Sequence, residues 1–363
     1  MKNNDELYMA IAIELAKKGL GHTSPNPLVG CVIVKNGNVI STGWHKKAGQ
    51  PHAEAEALEN IKYKAKGATL YVNLEPCCHW GKTAPCTEAI IKYGIKKVVM
   101  AMTDPNPKVN SKGKNILKKA GIKVVTGVLE KQAQQLNRIF IKNITQKKPY
   151  IIMKAGISLD GKMALSNGTS KWITGPHTRI YSQNLRKECD AIVAGINTII
   201  KDNPYLDCRI DKNKKIKKVI LDTYGKIPLN ANIFKYSSPQ DIFIFSRSMS
   251  VVKIKTLSKR GVNVIIQKST GEIDLKKAVS YLFSLGIGSM LVEGGGTLHT
   301  AFLKAKLYDE ARLYIAPIFI GNDGLAVIGK TGLKNLNNAL NLNNVEVIKL
   351  GKDTLIKGEF NYV

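Results

Sequence analysis

The apolar positions of this chain change period several times along its length. From Leu7 to Leu20 they recur at helical spacing and stop at Gly21, which predicts an opening amphipathic helix. Past the breaker Ser24-Pro25-Asn26-Pro27, the apolar run 29–34 and the segment 39–45 flank Asn36-Gly37-Asn38 and predict a hairpin. A helix over 53–64 with Pro51 near its first turn, a strand over 68–74 and a helix over 87–93 follow. The pattern continues as strand 97–102, helix 114–120, strand 123–128 and helix 130–144. Alternating strand and helix predict α/β layers.

The short polar stretch Gln146-Lys147-Lys148-Pro149 marks the expected boundary between domains 1–147 and 148–363. Beyond it, strands are predicted at 150–157, 191–194, 218–222, 242–246, 262–267, 290–293 and 310–320, and a turn at 158–162. Helices fit 176–188, 275–285 and 297–305, and no internal repeat links the halves. A length of 363 residues with 44% hydrophobic content suffices for two buried cores.

Charge alters this picture only slightly. The formal net charge of +28 raises nucleic acid as a partner, but the lysines are spread along the chain, as in Lys17-Lys18, Lys118-Lys119 and Lys276-Lys277. No basic stretch is interleaved with aromatics, so the charge reads as a solvated surface that also attracts phosphorylated small molecules, and nucleic acid is not expected. No apolar run reaches the roughly 18 residues of a membrane span, and the opening Met1 to Glu6 lacks a signal-peptide pattern. Six cysteines are too few for a disulfide scaffold, and Cys31, Cys189 and Cys208 read as reduced. A cytoplasmic homo-oligomer without a membrane partner is expected.

The most specific chemistry lies in residues 51–86. Pro-His-Ala-Glu at 51–54 is followed by Glu-Pro-Cys-Cys-His at 75–79 and by Pro85-Cys86. His52, Cys77 and Cys86 supply a neutral imidazole and two thiolates, a zinc donor set that leaves one position open for water. Glu54, two residues after the histidine, is placed to take a proton from that water and return it to a leaving amine. His-x-Glu with Pro-Cys and a second cysteine is the pattern of zinc deaminases acting on pyrimidine and purine rings. Here eight residues separate the cysteines instead of two. A lone His-x-Glu is more often a solvated helix face and a lone cysteine a small hydrophobe; the combination at this spacing is what carries the assignment.

In the second half, Met-Leu-Val-Glu-Gly-Gly-Gly-Thr-Leu at 290–298 is a buried strand, three glycines and a helix start, where backbone N–H groups approach a phosphate. On its own such a turn is more often tight packing, because it lacks the spaced dinucleotide fingerprint.

Glu75 to Cys86, read as E-P-C-C-H-W-G-K-T-A-P-C, resembles the deaminase half of the bifunctional riboflavin-biosynthesis family, with Cys78 where that pattern has serine. Lys154 to Lys162 (K-A-G-I-S-L-D-G-K), Ser170 to Thr174, and Asp202-Asn203-Pro204 with Leu206 and Arg209 resemble its reductase half. The resemblance covers essentially the whole chain. It implies a cytidine-deaminase-like three-layer domain followed by a dihydrofolate-reductase-like domain, with zinc and NADPH as cofactors. The implied activities are removal of the C2 amino group of a phosphoribosylated diaminopyrimidinone and reduction of its ribosyl group to ribityl.

Carried onto this chain, the resemblance makes His52, Cys77 and Cys86 zinc ligands and Glu54 the proton shuttle. Asn26, His45, Lys82 and Asp104 are implied to hold the pyrimidine or its phosphate; turn-making and solvent exposure are their plain alternatives. NADPH contacts are implied at Gly156, Trp172, Thr198, Asp202, Thr223 and the loop Gly295, Gly296, Thr297, Leu298, His299, Thr300 and Ala301. Substrate contacts are implied at Ser170, Arg186, Leu206, Arg209 and Glu293, the arginines through a planar fork that suits phosphate. Lys154, Asp202 and Glu293 are candidates to assist proton movement.

Two competing readings use the same zinc motif. A deaminase of tRNA or single-stranded nucleic acid with a basic C-terminal module predicts a two-residue cysteine gap and concentrated basic, aromatic surface. A structural zinc site predicts a fourth protein ligand, for which His79 is the candidate.

Overall fold

The computed structural model describes residues 4–80, 84–268 and 271–362. The chain divides into two compact units, Met1–Lys148 and Pro149–Val363. Among the described residues, no helix is long and apolar enough to cross a membrane.

The first unit is three layers deep. Strands β1 (Gly30–Lys35), β2 (Asn38–Trp44), β3 (Thr69–Leu74), β4 (Lys97–Met102) and β5 (Lys123–Thr126) form a sheet in the order β2-β1-β3-β4-β5. β1 is antiparallel to both its neighbours, and β3, β4 and β5 run parallel. Alternation along the strands sends side chains to two cores. On one face, Cys31, Ile33, Leu70 and Val98 pack with Ala57 of α2 (Ala53–Glu59), Ile90 of α3 (Cys86–Lys92) and Leu117 of α4 (Lys112–Lys119). On the other, Val32, Tyr71 and Val99 meet Ala12 of α1 (Asn4–Lys17), Ala133 of α5 (Glu130–Leu136) and Phe140 of α6 (Arg138–Gln146).

Three predicted helices of this unit take a different form. The opening helix ends at Lys17, and turns through 18–23 carry the chain on. α2 ends at Glu59 rather than 64: Lys62 takes a left-handed φ of 47° and the chain continues as a 3-10 turn, Lys62–Ala65. The predicted helix 130–144 is two helices, because Asn137 leaves helical geometry (φ −99°, ψ 16°) and is buried between them.

The second unit is built on a nine-stranded sheet ordered β11-β10-β9-β8-β12-β6-β13-β16-β15. Its first seven members run parallel: β6 (Tyr150–Ser158), β8 (Ala191–Gly195), β9 (Lys217–Leu221), β10 (Ile242–Ser246), β11 (Asn263–Ile266), β12 (Ser289–Glu293) and β13 (Glu310–Ala316). β16 (Asp353–Asn361) and β15 (Asn341–Leu350) complete it antiparallel, and β7 (Lys162–Ala164) pairs with β14 (Leu325–Ala326) apart from it. Helices α7 (Pro176–Glu188), α8 (Ile196–Asp202), α9 (Val251–Lys259), α10 (Leu275–Ser284) and α11 (Gly296–Lys304) connect the strands. Ala278 and Phe302 pack on one face of the sheet with Val193 and Phe245, and Ile199 and Leu257 pack on the other with Ile192 and Ile244. The predicted strand 310–320 stops at Ala316, and β7, β14, β15, β16, α8 and α9 are additions to the predicted set.

Candidate active sites

The local fold of the first unit delivers the zinc motif to one place. Gly43 of β2 lies against α2: a Cβ there would stand 2.3 Å from the Ala53 carbonyl oxygen and 2.9 Å from the Ala57 nitrogen. Only glycine allows that approach, which sets the start of α2 at the sheet edge. His52 is the extended residue that precedes α2, Cys77 follows β3, and Cys86 is the first residue of α3. Their ligand atoms all lie within 4.8 Å of one another, and among the described residues they are the group that could hold a metal ion. His52 Nδ1 is 3.2 Å from Cys86 Sγ and 3.4 Å from Cys77 Sγ. Bond lengths of 2.0–2.3 Å in a tetrahedron put neighbouring ligands roughly 3.5 Å apart, so these separations fit zinc.

The protonation states support the same ion. A hydrogen bond from the Cys86 thiol, with His52 assisting, holds the Cys77 thiol well below the ordinary range, while Cys86, which gives that hydrogen and is buried, is pushed up. Two sulfurs this close favour the loss of a proton, and a divalent cation would take its place in a neutral His-Cys-Cys set. Backbone N–H of Cys86 also donates to Cys77 Sγ at 3.3 Å. Glu54 is 3% exposed, and burial raises its carboxyl above the ordinary range, offset in part by His52. His79 is exposed and stands outside the converging group, so it does not close the site.

His52, Glu54 and Cys77 open into a cavity of about 400 Å³, whose wall also includes Asn26, His45 and Asp104. His45 is fixed as a neutral ring: its Nδ1–H donates to the Pro51 carbonyl at 3.1 Å, which leaves Nε2 to accept from Asn26 Nδ2 at 3.1 Å. Burial lowers its pKa, in keeping with that state. Asp104 Oδ1 accepts from Asn106 N at 2.8 Å, and burial lifts its carboxyl to about 6. Lys82 lies outside the described residues.

Three buried side chains to which the sequence motifs gave no role hold these walls. Asn73 accepts from Gly30 N at 2.8 Å and donates to the Leu28 carbonyl at 2.9 Å. Asn137 grips the same residue, accepting from Leu28 N at 2.8 Å and donating to its carbonyl at 3.0 Å. Between them they secure the loop that carries Asn26. Glu75 accepts from the backbone N–H groups of Asp104, Ser111 and Lys114. The visible signals were Asn73, a polar residue inside a predicted strand, and Glu75, the first residue of the cysteine motif; nothing in the sequence ties Asn137 to Leu28.

In the second unit β9, β8, β12 and β6 are consecutive neighbours, and their carboxyl ends form one sheet edge, where open α/β sheets bind ligands. Thr223 follows β9, Thr198 follows β8, Gly295 and Gly296 follow β12, and Gly156 lies near the end of β6. α11 starts here with Gly295 as a cap that offers no side-chain hydrogen bond, so its first N–H groups suit a phosphate. A Cβ on Gly295 would meet nothing within 4 Å, whereas one on Gly296 would stand 2.1 Å from the Ala326 carbonyl oxygen. Thr297 and Ala301 are exposed and Leu298 is half-buried. His299 and Thr300 turn inward: His299 is fully buried with Nδ1 2.8 Å from the Tyr308 hydroxyl, and Thr300 Oγ1 bonds Gly296 O and Gly329 N.

Glu293 ends β12 as the centre of a charged triad. Arg186 meets it through two bonds, Nε–Oε1 at 3.0 Å and Nη2–Oε2 at 2.9 Å, and Lys154 Nζ lies 3.7 Å away. Burial alone raises the Glu293 carboxyl, but Arg186 and Lys154 prevail and hold it at about 2. The phosphate-fork rationale therefore does not apply to Arg186 in this state: its fork is filled by Glu293, and its remaining Nη1 donates to the Asp207 carbonyl at 2.8 Å. Arg209 and Asp202 are exposed, Ser170 is half-buried and Leu206 is buried. Trp172 is exposed, with the Arg179 guanidinium 4.2 Å over its ring. Thr223 donates to Glu272 at 3.0 Å.

Comparison with known proteins gives the same two-part organisation. Residues 2–102 match the family model of the cytidine and deoxycytidylate deaminase zinc-binding region, and residues 149–356 match that of the RibD C-terminal domain. The chain is 43% identical to the riboflavin biosynthesis protein RibD of Aquifex aeolicus, over 97% of each chain. To that of Escherichia coli it is 38% identical, over 97% of this chain and 98% of the other. It is similar to a solved structure of Acinetobacter baumannii RibD with a TM-score of 0.88 at 39% identity, covering 99% of both chains. A Thermotoga maritima diaminohydroxyphosphoribosylaminopyrimidine deaminase/5-amino-6-(5-phosphoribosylamino)uracil reductase gives 0.85 at 34% identity, covering 98% of this chain and 99% of that one.

Proposed function

This chain belongs to the RibD family of riboflavin biosynthesis, one polypeptide with a zinc-binding deaminase domain and an NADPH-binding reductase domain, and we propose the substrates and residue roles that follow. Domain 1–147 removes the C2 amino group of 2,5-diamino-6-(5-phosphoribosylamino)pyrimidin-4(3H)-one as ammonia. Domain 148–363 reduces the ribosyl group of 5-amino-6-(5-phosphoribosylamino)uracil to ribityl. The observation that carries the first step is the convergence of His52, Cys77 and Cys86 beside buried Glu54 in an open cavity.

His52, Cys77 and Cys86 would hold zinc, which when bound would supply a water nucleophile near neutral pH. Glu54, with its raised pKa, takes a proton at its carboxylate and delivers it to the departing amine. The Asn26–His45 pair and Asp104 orient the ring by hydrogen bonding, and cavity walls of Leu74, Val109 and Phe140 limit water. In the second unit NADPH, when bound, would supply the hydride. The first turn of α11 holds cofactor phosphate, and the Lys154–Glu293–Arg186 triad fixes charge beside the sugar.

None of the six cysteines forms a disulfide among the described residues, in keeping with a cytoplasmic setting. Exposed Val345 and Val347 on edge strand β15 support self-association, which light scattering checks. The functional test is an assay of purified protein with the diaminopyrimidinone. Ammonia release without NADPH, and NADPH consumption once the deaminated product forms, are the expected results. Ammonia release on tRNA or single-stranded DNA instead would replace this reading with the nucleic-acid one.

A further inference from the structure

We infer that Glu75 is a positioning residue of the deamination site, its buried carboxylate fixing the Asp104 backbone in the wall of the cavity that holds Glu54. The inference rests on the proposed role of Asp104 as a substrate contact. Glu75 is 3% exposed, and a carboxylate so far from water requires hydrogen-bond donors. Those the structure provides are backbone groups: Oε2 accepts from Asp104 N at 3.2 Å and Ser111 N at 2.9 Å, and Oε1 from Lys114 N at 3.0 Å.

Two of the three donors belong to the start of α4. Ser111 occupies its cap position in a left-handed conformation (φ 63°) and makes no side-chain cap bond, so Glu75 supplies the missing acceptor from another part of the chain. The close fit is built into the sequence at Gly113, where a Cβ would stand 2.3 Å from the Pro76 carbonyl oxygen and 3.3 Å from Glu75 Oε1. The third donor is Asp104 itself. Its own Oδ1 is engaged by Asn106 N, which leaves Oδ2 for a ligand. Two residues beyond Glu75 stands Cys77, so one short segment fixes a zinc ligand and the Asp104 wall together.

Glu75→Gln keeps the shape but offers a single acceptor oxygen, with an NH₂ group now facing a backbone donor. Loss of a charge-assisted hydrogen bond predicts a KM for the diaminopyrimidinone raised about 10-fold or more, with kcat within about 3-fold. Zinc stays at one per chain, and reductase activity in the same polypeptide is unchanged. Asp104→Asn also raises KM, and the double variant rises no further than the larger single effect, because both changes act through one group.

An unchanged KM in Glu75→Gln beside a raised one in Asp104→Asn overturns this inference alone, as do effects that multiply in the double variant or a parallel loss of zinc and kcat. An unchanged KM in Asp104→Asn removes the substrate role of Asp104, and this inference with it. If Glu75→Gln does not accumulate, amide exchange in the parent protein decides. Protection of about 100-fold or more shared by Asp104, Ser111 and Lys114 supports the assignment, and exchange at open-loop rates refutes it.

Discussion

Glu54 combines burial, a raised pKa and a place beside the zinc ligands, so its removal tests the chemistry without dismantling the site. Glu54→Gln is expected to lower kcat for ammonia release by about 10²- to 10⁴-fold, with zinc content and reductase activity retained. Metal analysis beside the two assays checks this. In the second unit, His299 is held at about 4, chiefly by burial, against an ordinary 6.5, and Glu293 at about 2 against an ordinary 4.5. Both are depressed, so each contributes stability at neutral pH that is lost on acidification, His299 between about 6.5 and 4 and Glu293 below about 4.5. Each shift corresponds to about 3 kcal/mol at most. Calorimetry of the unfolding transition that NADPH raises should show it falling from pH 7 to 4, with a shallower fall in His299→Asn. At this scale the sequence disclosed side chains that act through their own type and spacing, such as His52 and Cys86. It concealed Asn137 and Glu75, whose partners are backbone groups far along the chain, and the Glu293 salt bridge that occupies Arg186.

Among the elements, the three glycines before α11 are not equivalent. Gly296 faces the Ala326 carbonyl and Gly295 faces open space. Gly296→Ala should destabilise the second unit by about 1–3 kcal/mol through steric conflict. Gly295→Val should stay within about 1 kcal/mol of the parent in stability while weakening NADPH binding. Denaturant unfolding and cofactor titration on both variants separate the two roles. Strands with apolar runs, such as 97–102 and 242–246, were legible because burial on both faces leaves that imprint. β15 was not: it is an exposed edge strand, N-L-N-N-V-E-V-I-K-L, whose alternation is broken by the irregular register between Asn343 and Glu346. α8 follows β8 without a loop, and its β-branched Ile196, Ile199 and Ile200 give little helical signal.

For the whole molecule, the two chemistries sit in separate compact units with separate cofactors. Removal of zinc with a chelator is therefore expected to abolish ammonia release while NADPH oxidation on the deaminated substrate persists; simultaneous loss of both would show the units to be interdependent. Re-addition of zinc should restore the first activity alone. The two-unit plan was visible from one polar stretch at 146–149 and from motifs confined to either side of it. The internal latches of each unit were not, since pairings between distant residues leave no local trace in composition or period.

The grip of Asn137 on Leu28 bears on how the deaminating half is excised. The stretch shared with other zinc deaminases ends at residue 102, yet a polypeptide trimmed there forfeits the amide that anchors the Asn26 loop and the Phe140 ring that walls the cavity. An autonomous fragment has to extend through Gln146, the last residue of α6.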